Sequence, residues 1–319
     1  MPHRQTGAAS SVRESEPHRS SKGRAGKSLD SRPAGEVKGR YQKERALALS
    51  GHSANARRRH RWQCPNCFIK RSRGDLRGRG DSDKPEDGPY GMAQHARDVA
   101  CAMRAMGLGP SVVAGHSMGA FVATALAQQN PELVCGVVLI DGGYLPSISA
   151  GMPQQGLDPL LAERIVQLQQ TYPSREFYRD LWRKKPHFPP QDWDAWMEAF
   201  LDYEIGGEPP NLRPKASQAA VLADLAEGFN REEIAARLRS LRVPVMLLRA
   251  ETGFAPTSPP LFPDSLLEPI RALVPHIEDH KIPGTTHYTI AISERPASRV
   301  ADLLHQLASH CQPSAPAAR

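Results

Sequence analysis

Ser111-Val112-Val113-Ala114-Gly115-His116-Ser117-Met118-Gly119-Ala120-Phe121-Val122-Ala123-Thr124-Ala125-Leu126-Ala127 is the stretch that decides how this chain folds. Ser111 to Ala114 is a short apolar run that reads as a buried strand, and the pattern from Met118 through Ala127 reads as an apolar helix. Between them lies Gly115-x-Ser117-x-Gly119. A chain that turns from strand to helix this sharply leaves no room for side chains two positions to either side of the central residue, and both of those positions are Gly. Such a turn lifts the Ser117 hydroxyl away from the sheet and aims the Met118 N–H at the place where an oxyanion would develop. The spacing alone arises by chance; its place between a strand and a helix gives it meaning. His116 stands too close to the serine in the chain to serve as its base, and is expected to pack or to line a pocket.

Working outward, the same alternation recurs. Met92, Ala96, Val99, Ala100, Met103 and Met106 fall at helical spacing, with Gly107 and Gly109 as a stop. Val134–Ile140 is a second buried strand, Val243–Leu248 a third and His280–Pro283 a weak fourth, and a final helix is expected over Pro296–Ser309. Strands alternating with helices predict an α/β fold: a mostly parallel sheet with helices on both faces. Residues 148–240 interrupt it as an inserted helical cap between two strands. This insertion holds Tyr172, Phe177, Tyr178, Trp182, Phe188, Trp193, Trp196, Phe200, Tyr203 and Phe229, ten of the nineteen aromatic residues. They are expected to form the insertion's own core, to line a pocket at the carboxyl ends of the strands, or both.

The charge is unevenly spread. Residues 1–74 carry 18 of the 41 Lys+Arg but only 5 of the 34 Asp+Glu, so the formal +7 describes the first quarter and the body is acidic. An acidic body argues against nucleic acid as a partner. Residues 1–45 and 312–319 lack apolar periodicity and read as disordered tails, leaving 46–147 and 241–311 as the two parts of the core. No apolar run reaches the length of a membrane span and no secretory signal is visible, so no membrane association and a cytoplasmic location are expected. Five cysteines, an odd number, do not make a disulfide framework. Cys64-Pro65-Asn66-Cys67 has no second pair at zinc spacing, and Gly23–Ser28 has neither the first Gly nor the preceding strand of a phosphate loop. No metal and no cofactor are expected.

Three segments, taken in order, carry a specific resemblance: Asp75-Leu76-Arg77-Gly78-Arg79-Gly80-Asp81-Ser82-Asp83-Lys84-Pro85, then Gly115–Gly119, then Pro283-Gly284-Thr285-Thr286-His287-Tyr288. Together they resemble the α/β-hydrolase fold family over about residues 75–310. The resemblance implies a serine hydrolase of esterase type acting on a small ester or related acyl substrate. Ser117 would be the nucleophile and His287, after the last strand and a Pro-Gly turn, the base. For the acid two positions fit: Asp141, ending the strand Val134–Ile140, which is preferred, and Glu251, in the loop after Val243–Leu248, where the family more commonly keeps it. Met118 and His52 would supply the oxyanion N–H groups. The N-terminal part departs from the family. Leu47–His52 fits the expected strand and turn except that Ser50 replaces the usual His; no hairpin precedes it, and Arg57–Arg73 is Arg-rich where apolar elements are expected. Residues 46–74 are therefore degenerate or out of frame, and the rival reading is a non-catalytic or incomplete relative.

Overall fold

The computed structural model of the chain describes residues 47–50, 72–145, 163, 165–228 and 230–311. The strands are β1 (Leu47–Ser50), β2 (Ser72–Arg73), β3 (Ser111–His116), β4 (Val134–Ile140), the short antiparallel pair β5 (Ile205–Gly206) and β6 (Arg213–Pro214), then β7 (Val245–Ala250) and β8 (Ile277–Ile282). All but β5 and β6 join one parallel sheet in the order β2-β1-β3-β4-β7-β8. The expected strand at Leu47–Ser50 is present, in register with β3 from Leu47 opposite Val113 to Ser50 opposite His116. The two expected tails, His52, Cys64 and Cys67 lie outside the described residues.

Parallel strands need crossovers, and helices supply them. They are α1 (Met92–Ala105), α2 (Met118–Gln129), α3 (Arg175–Arg183), α4 (Ala195–Glu204), α5 (Gln218–Gly228), α6 (Arg231–Ser240), α7 (Leu267–Leu273), α8 (Thr289–Ile292) and α9 (Glu294–His310). One apolar core joins α1, α2, α6 and α7 to the strands, with Met103, Val122, Leu126, Leu238 and Ile270 among its members. A second joins α9 to them through Val300, Leu303 and Leu307. α2 is buried along most of its length, as a helix apolar all round must be.

Two strands depart from their expected bounds, and β7 does so by running Val245–Ala250, two residues later than Val243–Leu248. β8 begins at Ile277, three residues before the expected start, because its polar stretch is an edge: Arg249 of β7 grips Asp279 of β8 through Nε and Nη2 at 2.6 and 2.8 Å. Within residues 148–240, α6 packs Ile234 and Leu238 into the sheet's core. The remainder of the insertion has its own aromatic centre, with Tyr172, Tyr178, Trp182, Phe188 and Phe200 all buried, while Phe177 is half exposed and Phe229 lies outside the described residues. Among the described residues no helix is long and apolar enough to cross a membrane.

Candidate active site

The carboxyl ends of the parallel strands bring three side chains together. Ser117 follows β3 directly and caps α2. A Cβ on Gly115 would run into the Gly119 carbonyl, so the strand can turn into the helix here only without one. Asp141 follows β4, the neighbour of β3, and His287 follows β8 after the Pro283-Gly284 turn. Among the described residues Ser117 (φ 53°) and Asp141 (φ 45°) are the two non-glycine residues with left-handed backbone. Each such conformation costs on the order of 1–3 kcal/mol and persists only where its surroundings enforce it. The surroundings are visible. The Ser117 N–H donates to the Ile140 carbonyl at 2.9 Å, the Asp141 N–H to the Leu248 carbonyl at 2.8 Å, and a Cβ on Gly142 would strike the Ser117 carbonyl.

His287 Nε2 lies 3.0 Å from Ser117 Oγ, and Nδ1 donates to Asp141 Oδ2 at 2.7 Å. A carboxylate only accepts, so Asp141 fixes the proton on Nδ1 and leaves Nε2 to accept from the serine hydroxyl. Asp141 is itself held by the Ala250 N–H, which donates to Oδ1 at 3.0 Å. Backbone contacts hold the histidine: its N–H donates to the Gly253 carbonyl at 2.9 Å, and its carbonyl accepts from His116 Nε2 at 2.7 Å. Asp141 and His287 are buried whereas Ser117 is half-buried, so the serine is the member a substrate can reach. Met118 opens α2, and first-turn N–H groups of a helix have no intrahelical acceptor.

Glu251, the second of the two acid candidates, lies apart from the other two side chains. Its Oε2 accepts from the Gly284 N–H at 2.6 Å, stitching the loop after β7 to the turn before His287, while Nδ1 of His287 is taken by Asp141. β7 ends with the Ala250 N–H on Asp141, and the chain then turns the following carboxylate toward Gly284. His116, expected to pack or to line a pocket, packs against His287, with ring centroids 4.7 Å apart.

Sequence reasoning did not find the surroundings. The Phe254 ring sits 4.8 Å from His287, edge on, and Tyr288 links His287 to His187 and Phe188 of the insertion at centroid distances of 5.6 and 5.4 Å. Tyr203 of the insertion hydrogen-bonds Asp75, and burial together with that bond pushes its phenol up. Asp224, Arg79 and His95 form a buried polar group beside Met118. A lone acid in the apolar run Val221–Ala226 was the available signal for it. Among the described residues no group of three or more His, Cys, Asp or Glu could hold a metal ion.

Comparison with known proteins agrees with this fold. The family model described as alpha/beta hydrolase fold matches residues 73–292. A 2-(acetamidomethylene)succinate hydrolase of Mesorhizobium japonicum is 32% identical over 221 residues, 69% of this chain and 72% of the relative. Among solved structures, an E-2-(acetamidomethylene)succinate hydrolase superposes with a TM-score of 0.65 at 22% identity, covering 85% of this chain and 96% of its own. An esterase from Mycobacterium tuberculosis superposes with a TM-score of 0.59 at 19% identity, covering 86% and 92%.

Proposed function

Because the chain belongs to the α/β-hydrolase fold family and is a hydrolase of that fold, we propose that it is a serine hydrolase working through Ser117, His287 and Asp141. The observation that carries the reading is the continuous pair of contacts, 3.0 Å from Ser117 Oγ to His287 Nε2 and 2.7 Å from Nδ1 to Asp141 Oδ2. A serine hydroxyl is a poor nucleophile until a base removes its proton, and this arrangement supplies the base already oriented. Ser117 attacks the carbonyl carbon of a small ester or related acyl substrate as its proton passes to Nε2. His287 then protonates the leaving group, and water releases the acyl group from the serine by the same steps. Asp141 keeps the imidazole in the required tautomer and stabilises the imidazolium. The Met118 N–H is one oxyanion donor; the second is assigned to His52.

The helical insertion is the cap in this reading, closing the site through Tyr288 and the aromatic residues it meets. The relative from Mesorhizobium japonicum is named for a substrate with an acetamido group, so an acyl–nitrogen bond is the second substrate class. A fluorophosphonate probe tests the mechanism: labelling of the wild type, lost in Ser117→Ala, is expected. Hydrolysis of p-nitrophenyl acetate should fall by on the order of 10⁶-fold in the same variant. Equal labelling of both proteins would place the nucleophile elsewhere. Rates on p-nitrophenyl acetate and its anilide counterpart separate the two substrate classes.

A further inference from the structure

One buried acid joins the insertion to the serine turn. Asp224 is the charged residue in the apolar run Val221-Leu222-Ala223-Asp224-Leu225-Ala226 of α5, and it is almost wholly buried. Its Oδ1 accepts from the Gly91 N–H at 2.7 Å and from His95 Nε2–H at 2.9 Å, both at the start of α1. Its Oδ2 lies 2.6 Å from Arg79 Nη1, out of line for a hydrogen bond but close enough for a charge pair. The other arm of the same guanidinium, Nη2, approaches Met118 Sδ at 3.3 Å. Met118 directly follows Ser117, so three side chains, those of Asp224, Arg79 and Met118, span the distance from α5 to the turn. There is little slack around them. The Ser217 N–H donates to the Gly78 carbonyl at 2.8 Å, and a Cβ on Gly78 would run into Ala220.

A buried ion pair often gains nothing over well-packed apolar residues, because desolvation offsets the attraction. Its presence here asks for another use, and geometry supplies one. A guanidinium is a rigid planar fork, so a single arginine can hold the Asp224 carboxylate with one arm and the Met118 thioether with the other; a lysine ammonium can satisfy the acid but cannot span both. Building on the serine-hydrolase reading, we propose that Asp224 and Arg79 are positioning residues: the carboxylate fixes the fork, and the fork fixes Met118, hence the Ser117–Met118 peptide that must meet the oxyanion. Neither residue touches the reacting atoms. A displacement of about 1 Å at such a site costs on the order of 100-fold in rate.

Arg79→Lys separates the two uses of the pair. It keeps the charge opposite Asp224 and removes the bridge to Met118. The expected result, with p-nitrophenyl acetate as substrate, is an unfolding midpoint close to wild type, a KM changed less than about 2-fold, and a kcat lowered by about 10- to 100-fold. Fluorophosphonate labelling of Ser117 should slow in parallel. Asp224→Asn leaves Arg79 buried without its partner, so the midpoint drops as well. Combined with Arg79→Lys it should lower kcat no further, because both changes break one path. Full kcat in Arg79→Lys, or losses that multiply in the double variant, overturns the proposal while leaving the labelled serine intact. A wild type that neither hydrolyses the ester nor takes the probe overturns the serine-hydrolase reading first, and this one with it.

Discussion

The sheet and the insertion solve the problem of placing side chains in different ways. At the carboxyl edge of the sheet, placement is done by backbone: Ser117 and Asp141 are forced into left-handed conformations, Gly115 and Gly142 make the approach possible, and peptide groups of Ile140, Leu248, Ala250 and Gly253 hold the three residues that meet there. In the insertion, placement is done by side chains. Its centre is a set of aromatic rings at centroid distances of 4.8 to 6.2 Å, and its surface is laced by Arg179 and Arg183 with Glu176, Asp180, Glu198 and Asp202. Backbone contacts tolerate little change, whereas rings and surface charges can repack. On the proposed reading, the chemistry belongs to the part held by backbone, and the part held by side chains is the one that would meet the substrate.

The sharpest way to break this comparison is at Asp141. Asp141→Asn should lower hydrolysis of an activated ester by roughly 10⁴-fold, the cost of holding the wrong tautomer, while Glu251→Gln should stay near wild type. The reverse order would return the acid to the loop after β7 and remove the reason for the strain at Asp141. Next come two leucines, Leu126 in α2 and Leu201 in α4, both fully buried. Truncation of either to Ala should cost about 2–5 kcal/mol in chemical denaturation. Their kinetic consequences should diverge: Leu126→Ala loosens the helix that starts at the serine and lowers kcat, whereas Leu201→Ala loosens the insertion and raises KM. Two variants that shift the same parameter would erase the distinction between the regions.

A smaller effect is expected from acid. Burial pushes the Asp224 carboxyl up, but the His95 hydrogen bond, the Arg79 charge and the Gly91 N–H outweigh it and hold the group below the usual carboxylate range. A carboxyl lowered in the folded state stabilises it fully above the unfolded value of about 3.9, and that contribution disappears as pH falls through the folded value. The gap in unfolding midpoint between wild type and Asp224→Asn should therefore close below about pH 4. A gap unchanged in acid would mean that the carboxylate contributes through packing alone. Arg183→Gln should do least of all. Of its partners Glu176 is exposed and Asp180 and Glu198 are partly so, and midpoint and activity should hardly change, with any difference fading in high salt.

The apolar strands and the serine turn were legible because burial on both faces leaves an uninterrupted apolar run, and because a sharp turn forces small residues at fixed offsets. β8 was half legible: its four central residues, Glu278 to Lys281, are polar and not buried, and only Ile277 and Ile282 at its two ends are buried. The choice between Asp141 and Glu251 needed tertiary register. Each acid sits at or just after a strand end, and nothing local tells them apart; the pairing of β4 with β7, Ile140 opposite Leu248, brings the Ala250 N–H onto Asp141. Amphipathic spacing in α6 says that a face is buried but not against what, and here Ile234 and Leu238 meet the sheet's core. Arg79 stood in a motif that was noticed, yet its partner lies 145 positions further on, beyond the reach of any local pattern.

The loop after β7 has a different kind of freedom. It supports the histidine through a backbone carbonyl, Gly253 to the His287 N–H, and presents the Phe254 ring against the imidazole. In the proposed triad the acid is Asp141, just after β4, so this loop need not carry a charge at a fixed distance from the imidazole. On the proposed reading, exchanging residue 254 should reshape the wall beside the imidazole and leave the Asp141–His287 contact in place, so a library at this position is expected to shift acyl preference.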